Sequence, residues 1–185
     1  MQTEIVIAGF GGQGVLFAGQ VLAYAAMDSG REVTWIPSYG PEMRGGTANC
    51  IVIVSPHRIS SPIVSSFDSA IILNQPSLEK FENKIKPGGF LMYETSTVIS
   101  LPTRRDIELL AVSGMEEAMK LKKKQVGNMV LLGAFLGRRP LVKIENVMAA
   151  LKKVLPERHH HLLPLNEQAL EIGQSLASAT SAVGA

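Results

Sequence analysis

The chain has a single cysteine, Cys50, in 185 residues. One thiol excludes an internal disulfide framework and an all-cysteine iron–sulfur or zinc site. Aromatic residues are scarce at 5%, against 46% hydrophobic residues overall, so the core must be assembled from Val, Ile, Leu, Met and Ala. An excess of either charge is missing too. Eighteen Lys and Arg stand against sixteen Asp and Glu, a net charge of +2 that gives no electrostatic reason to expect nucleic acid or a membrane surface. Long apolar runs are absent: the most apolar stretch, Met129–Gly137, falls far short of the roughly 20 residues that cross a bilayer. Met1-Gln2-Thr3-Glu4 leads straight into a strand without a basic leader, so a cytoplasmic protein with no secretory signal is expected. The length suits one domain with a proper core.

What is present begins at the N-terminus. Ile5-Val6-Ile7-Ala8 is an apolar strand that runs into Gly9-Phe10-Gly11-Gly12-Gln13-Gly14 and then into a helix. The glycines match Gly-x-Gly-x-x-Gly, the shape of a phosphate-holding turn in a strand–turn–helix setting. Glycine allows positive φ and close backbone approach, and the N–H groups at a helix start attract anions. Three readings of Gly9, Gly11, Gly12, Gln13 and Gly14 stay open: a tight turn only, a phosphate contact, or close approach of a partner chain. A dinucleotide fold would also place an acid at the end of the second strand. That strand ends Trp35-Ile36-Pro37-Ser38, and the nearby acid, Glu32, lies at its wrong end. No Lys-Ser or Lys-Thr follows the last glycine, which excludes a Walker A loop.

Strands are expected at Glu4–Ala8, Glu32–Ile36, Thr47–Ser55, Ser69–Asn74, Phe90–Tyr93 and Ile107–Val112. Helices are expected at Gly12–Ser29, stopped by Gly30, and at Pro76–Lys84, Gly114–Lys123, Asn128–Gly137, Ile144–Leu155 and Pro164–Ala177. The fold expected is α/β: a three-layer α/β/α single domain over residues 1–177 with a mixed, mostly parallel sheet. The mixing is assigned to a hairpin-like 47–66 region, and residues 178–185 read as a disordered tail. The first helix and Asn128–Gly137 carry almost no charge, so both must be buried.

A second glycine loop, Ser38-Tyr39-Gly40-Pro41-Glu42-Met43-Arg44-Gly45-Gly46, brackets an acid and a guanidinium between fixed turns. If strands 1 and 2 are parallel neighbours, this loop faces Gly9–Gly14 at the sheet edge where open α/β sheets hold ligands. Tyr39, Gly40, Pro41, Glu42, Arg44, Gly45 and Gly46 are therefore candidates for an interface or ligand loop, against the alternative that Glu42 and Arg44 only satisfy each other or the backbone of the turn. Asn128 reads as a helix N-cap, His159-His160-His161 as a solvated loop, Lys120 and Lys122–Lys124 as a solvated helix end, and Cys50 as an inert core thiol. No catalytic set and no metal site can be assembled from these residues.

Taken together, the two loops resemble the γ subunit of 2-oxoacid:ferredoxin oxidoreductases, and Asn128-Met129-Val130-Leu131-Leu132-Gly133 matches that family's helix start. The resemblance covers Glu4 to about Ala177. It implies one subunit of a thiamine-diphosphate enzyme that converts a 2-oxoacid and coenzyme A to acyl-CoA and CO₂ and reduces ferredoxin. This chain lacks the Gly-Asp-Gly…Asn of a thiamine site and has one cysteine. Thiamine diphosphate, magnesium and iron–sulfur clusters are therefore expected in companion α and β subunits, with a ferredoxin-like δ chain where one is present. Coenzyme A and the 2-oxoacid would be met through the complex. On this reading the glycine loops and Asn128 form a docking surface and no residue is catalytic. The alternative is a stand-alone dinucleotide-binding oxidoreductase, against which the missing strand-2 acid counts.

Overall fold

The computed structural model describes residues 1–39 and 47–179. Its sheet is built from β1 (Thr3–Phe10), β2 (Glu32–Tyr39), β3 (Thr47–Ser55), β4 (Phe67–Ile72), β5 (Ile85–Glu94) and β6 (Glu108–Val112), in the spatial order β2-β3-β1-β4-β5-β6. β1, β4, β5 and β6 are mutually parallel, whereas β3 runs antiparallel to both β1 and β2. The sheet is thus mixed and mostly parallel, as expected, but its mixing has a different source. The hairpin is β2–β3, not 47–66; residues 56–66 form an irregular connection that carries the chain from β3 past β1 to β4. β1 and β2 run in the same direction with β3 between them, so they are not neighbours.

Alternation along β1 sorts two cores. Ile5 and Ile7 face the larger one, with α1 (Val15–Asp28), α4 (Gly127–Arg138), α5 (Ile144–Val154) and α6 (Leu163–Ala179). Val6 and Ala8 face a smaller core that Leu78 and Phe81 of α2 (Gln75–Phe81) close, with Phe67 and Phe81 edge-on at 6.1 Å. The three layers are therefore unequal.

α1 explains its lack of charge by what covers it. Val21, Leu22, Ala25 and Ala26 are fully buried, and Gly19 seats the helix so closely on β3 that a Cβ there would stand 2.3 Å from Cys50 Sγ. The α5 helix packs on another side of it, and Lys153 of α5 pairs with Asp28 at 2.7 Å. Gly30, at φ 81, ends the helix as the C′ residue. Burial pushes the Cys50 thiol up to about 12, an inert core thiol. Every residue of α4 from Gly127 to Leu136 is buried, mainly against α6. α6 continues to Ala179, which takes Ser178 and Ala179 out of the expected tail; the remainder of that tail lies outside the described residues.

An ion cluster fastens the start of β6. Arg138 and Arg139, at the end of α4, both donate to the Glu108 carboxylate, and Arg139 also stacks over Phe90 at 4.6 Å. Burial alone would raise the Glu108 pKa, but the hydrogen bonds and charges of the two arginines outweigh it and hold the carboxyl below its usual range. A depressed carboxyl stabilises the fold above its unfolded pKa, and that contribution is lost as pH falls through the folded value. Glu108→Gln is therefore expected to lower stability most near pH 7. The gap to wild type should close as pH drops below about 4, measured by urea unfolding across that range; a constant gap would refute it.

Candidate functional site

The chemistry-bearing residues gather where β1, β4 and β5 end. After Phe10 the chain turns through Gly12 (φ 95) and Gly14 (φ 76), both left-handed, and Gly14 is the N-cap of α1. With no side chain there and no acid in the first turn, the N–H groups of that turn receive no side-chain cap. Gln13 closes the loop on itself. Its Oε1 accepts from the Phe10 N–H at 2.6 Å and its Nε2 donates to the Leu73 carbonyl at 3.1 Å, which ties the turn to the end of β4. Gly9 is required by that closure: a Cβ would meet Gln13 Oε1 at 2.6 Å and Leu73 Cβ at 2.8 Å. Around Gly12, by contrast, there is open space.

Asn128 reaches this turn from α4. It is not an N-cap, because the 3-10 turn Lys124–Val126 leads directly into a helix that already starts at Gly127. Its side chain is instead spent across the fold, Nδ2 donating to the Gly14 carbonyl at 3.2 Å. The residue is 5% exposed, and its Oδ1 is buried without a hydrogen-bond partner. Such an orphaned acceptor costs about 1–3 kcal/mol. Its signal in the sequence was the uncharged helix start, although not the contact, which spans 114 residues.

These residues form one wall of a cleft of about 700 Å³. Its other sides are Ser96 and Thr97 after β5, Met115 and Met119 of α3 (Gly114–Lys120), the Lys124–Val126 turn, and Leu155, Leu162 and Asn166. Among the described residues that line it, Lys124 is the sole ionisable group. A cleft with one cation, no acid among those residues and an uncapped helix start suits an anion. The volume lies in the range of small-molecule sites.

Glu94, which in sequence is only the residue after a strand, holds two walls of the cleft. It is fully buried; one carboxyl oxygen accepts from Ser96 N–H and Oγ (3.1 and 2.8 Å), and the other from Met115 N–H at 3.0 Å. Sequence reasoning missed it, and its one signal was a lone acid that closes the apolar run Phe90-Leu91-Met92-Tyr93. Thr97 Oγ donates to the same Leu73 carbonyl that Gln13 uses, at 2.7 Å.

Of the second glycine loop, Gly40–Gly46 lies outside the described residues, with Glu42 and Arg44 in it. Its anchors are described: Tyr39 pairs with Ala48, and Thr47 with Phe10. The ends of β1 and β2 thus reach the same sheet edge with β3 between them. The histidines occupy a 3-10 turn, Glu157–Leu162, where His160 and His161 ring nitrogens meet the Leu155 and Arg158 carbonyls at 2.9 Å. Lys120 pairs with Glu117 at 2.7 Å, while Lys122–Lys124 are exposed, Lys124 at the lip of the cleft.

A family model described as pyruvate ferredoxin/flavodoxin oxidoreductase matches residues 4–176. The chain belongs to this family. Among curated relatives, ketoisovalerate oxidoreductase subunit VorA of Methanothermobacter thermautotrophicus is 40% identical over 135 residues, which cover 73% of this chain and 28% of VorA. The 2-oxoglutarate synthase subunit KorC of Methanothermobacter marburgensis is 34% identical over 163 residues, 84% of this chain and 88% of KorC. The chain therefore spans under a third of the first relative and most of the second. Among solved structures, a keto/oxoacid ferredoxin oxidoreductase γ subunit from Geobacter sulfurreducens matches with TM-score 0.82 at 30% identity, over 96% of this chain and 99% of that one. The 2-oxoglutarate:ferredoxin oxidoreductase of Magnetococcus marinus has the same fold, with TM-score 0.88 at 24% identity, over 99% of this chain and 32% of that one. Among the described residues no helix is long and apolar enough to cross a membrane.

Proposed function

We propose that this chain is the γ component of a cytoplasmic, thiamine-diphosphate-dependent 2-oxoacid:ferredoxin oxidoreductase. Companion α and β subunits bind thiamine diphosphate, magnesium and the iron–sulfur clusters, and this chain docks on them through the sheet edge that carries its glycine loops. The observation that carries the reading is the family match over residues 4–176. The site agrees with it: the described lining of the cleft offers an anion-binding helix start and apolar walls but no base–nucleophile pair. A stand-alone dinucleotide enzyme is disfavoured by the same match and by the strand-2 end, which has no acid.

One observation favours a ligand in the cleft as well. It combines an uncapped helix start, Lys124 and an unpartnered acceptor on Asn128. These fit a phosphorylated molecule that also carries amide or hydroxyl donors, and coenzyme A is of that kind. The Magnetococcus marinus enzyme was solved with 2-oxoglutarate, coenzyme A and succinyl-CoA bound. In this chain the helix start and Lys124 would hold phosphate and Asn128 Oδ1 would accept from a donor beside it.

The test is reconstitution. Co-expression with its companion chains should give a complex that reduces ferredoxin with one of pyruvate, 2-oxoglutarate, a branched-chain oxoacid or indolepyruvate plus coenzyme A. Omission of this chain should abolish that activity; full activity without it would refute the reading. Lys124→Ala in the complex is expected to raise KM for coenzyme A about tenfold while leaving the oxoacid KM unchanged, the loss of one charge-assisted contact.

A further inference from the structure

The segment after β5, Thr95-Ser96-Thr97-Val98-Ile99-Ser100-Leu101-Pro102-Thr103, contains nine residues without a charge. Within it Ile99 is 88% exposed and Leu101 71% exposed, while Val98 and Pro102 on either side are buried. The backbone that presents them is clamped from beneath. Gln75 Oε1 accepts the N–H groups of Ile99 and Ser100 at 3.1 and 3.0 Å. Glu82 Oε1 accepts the N–H groups of Thr103 and Arg104 and the Thr103 hydroxyl. Four backbone N–H groups are thus held by Gln75 and Glu82, and two aliphatic side chains face outward on a backbone already ordered. Charges begin only at its flank, where Arg104 pairs with Asp106.

We propose that Thr95–Thr103 is a preformed docking loop whose Ile99 and Leu101 enter an apolar recess on a companion subunit of the oxidoreductase complex. The inference rests on the reading of this chain as one component of such a complex. Interface centres are depleted of charge, and this loop carries none, with an ion pair only at its C-terminal flank. An ordered loop also avoids the entropy that a flexible one loses on binding. A companion subunit is the occupant because two relatives carry this domain on a much longer chain, of which it is 28% in VorA and 32% in the Magnetococcus marinus protein, whereas KorC is a chain of about this length. In those two proteins a larger body accompanies it. The loop is also continuous with the glycine-loop edge, since Thr97 and Gln13 share the Leu73 carbonyl.

The experiment measures association of the full chain with its purified companion subunits by biolayer interferometry. Ile99→Asp/Leu101→Asp is expected to weaken binding at least a hundredfold with an unchanged circular dichroism spectrum, as both side chains are exposed. Gln75→Ala, which loosens the loop but keeps both aliphatics, should weaken it several-fold. Ile63→Asp is the control: Ile63 is 88% exposed on the 56–66 connection, which begins and ends at the opposite sheet edge, and its loss should change nothing. Wild-type affinity in the double variant overturns the proposal while leaving the γ-component reading intact. Failure of the wild-type chain to bind overturns both. A wild-type dimer that the double variant renders monomeric, with companion binding unaffected, assigns the loop to a second copy and overturns the proposal as well.

Discussion

Gly173→Ala is expected to cost about 3 kcal/mol or more, a large share of a typical 5–15 kcal/mol stability. Gly173→Leu is expected to leave no folded protein. A Cβ on Gly173 would stand 2.0 Å from the Val130 carbonyl oxygen and 2.6 Å from the Ala134 nitrogen, and one on Gly133 would stand 2.1 Å from the Leu170 carbonyl oxygen. The obstacles are backbone atoms on both sides, so no rotamer change relieves them. α4 and α6 would have to separate by roughly an ångström, which forfeits a quarter to a half of each dispersion contact along the seam. That seam carries the buried helix Gly127–Leu136, so the loss spreads to the wall that holds Asn128. Glycine inside a helix costs about 1 kcal/mol relative to alanine; here close backbone contact offsets it. Gly30→Ala is the comparator, with open space around it and φ 81, and should cost only about 1–2 kcal/mol. Equilibrium denaturation of the two alanine variants decides: a Gly173→Ala loss no larger than that of Gly30→Ala would sink the argument.

The same seam shows what could be read in advance and what could not. An uncharged stretch from Met129 announces burial, because nothing on it can face water. It does not announce that glycines at 133 and 173 meet backbone to backbone, since that depends on which helix lies opposite. Strand positions were legible from continuous apolar runs, and Thr47–Ser55 is reproduced residue for residue. Strand direction was not: a strand buried on both faces has the same composition whichever way it runs. The reversal of β3 between β1 and β2 therefore left no local mark. The glycine turn was legible as a turn, and Gly12 and Gly14 do adopt positive φ. Its partners were not, because Asn128, Leu73 and Thr97 arrive from three separate elements. Asn128 in particular looked like a cap, the local use of asparagine at a helix start, until the preceding 3-10 turn moved that start.

Glu94→Ala should be the second most damaging change, and it should damage the cleft as well as the fold. The carboxyl is fully buried, and three donors converge on it: Ser96 N–H, Ser96 Oγ–H and Met115 N–H. The hydroxyl can rotate toward another acceptor, but the two backbone N–H groups cannot. Each one stranded costs about 1–3 kcal/mol, so a total near 3 kcal/mol is expected, before any cavity is counted. Glu94→Gln separates the two contributions. Its volume is unchanged and one oxygen still accepts, but its NH₂ must face either the Ser96 or the Met115 donor. An intermediate loss of about 1–2 kcal/mol follows. Ser96 and Met115 lie on two walls of the cleft, so releasing them widens the gap that faces Gly12 and Lys124. In the reconstituted complex the glutamine variant should therefore raise KM for coenzyme A severalfold while the protein remains folded at the assay temperature. A glutamine variant with wild-type stability and wild-type KM would show that Glu94 merely fills space. A loss of stability without a change in KM would detach the cleft from coenzyme A, while leaving the anchoring role of the carboxyl in place.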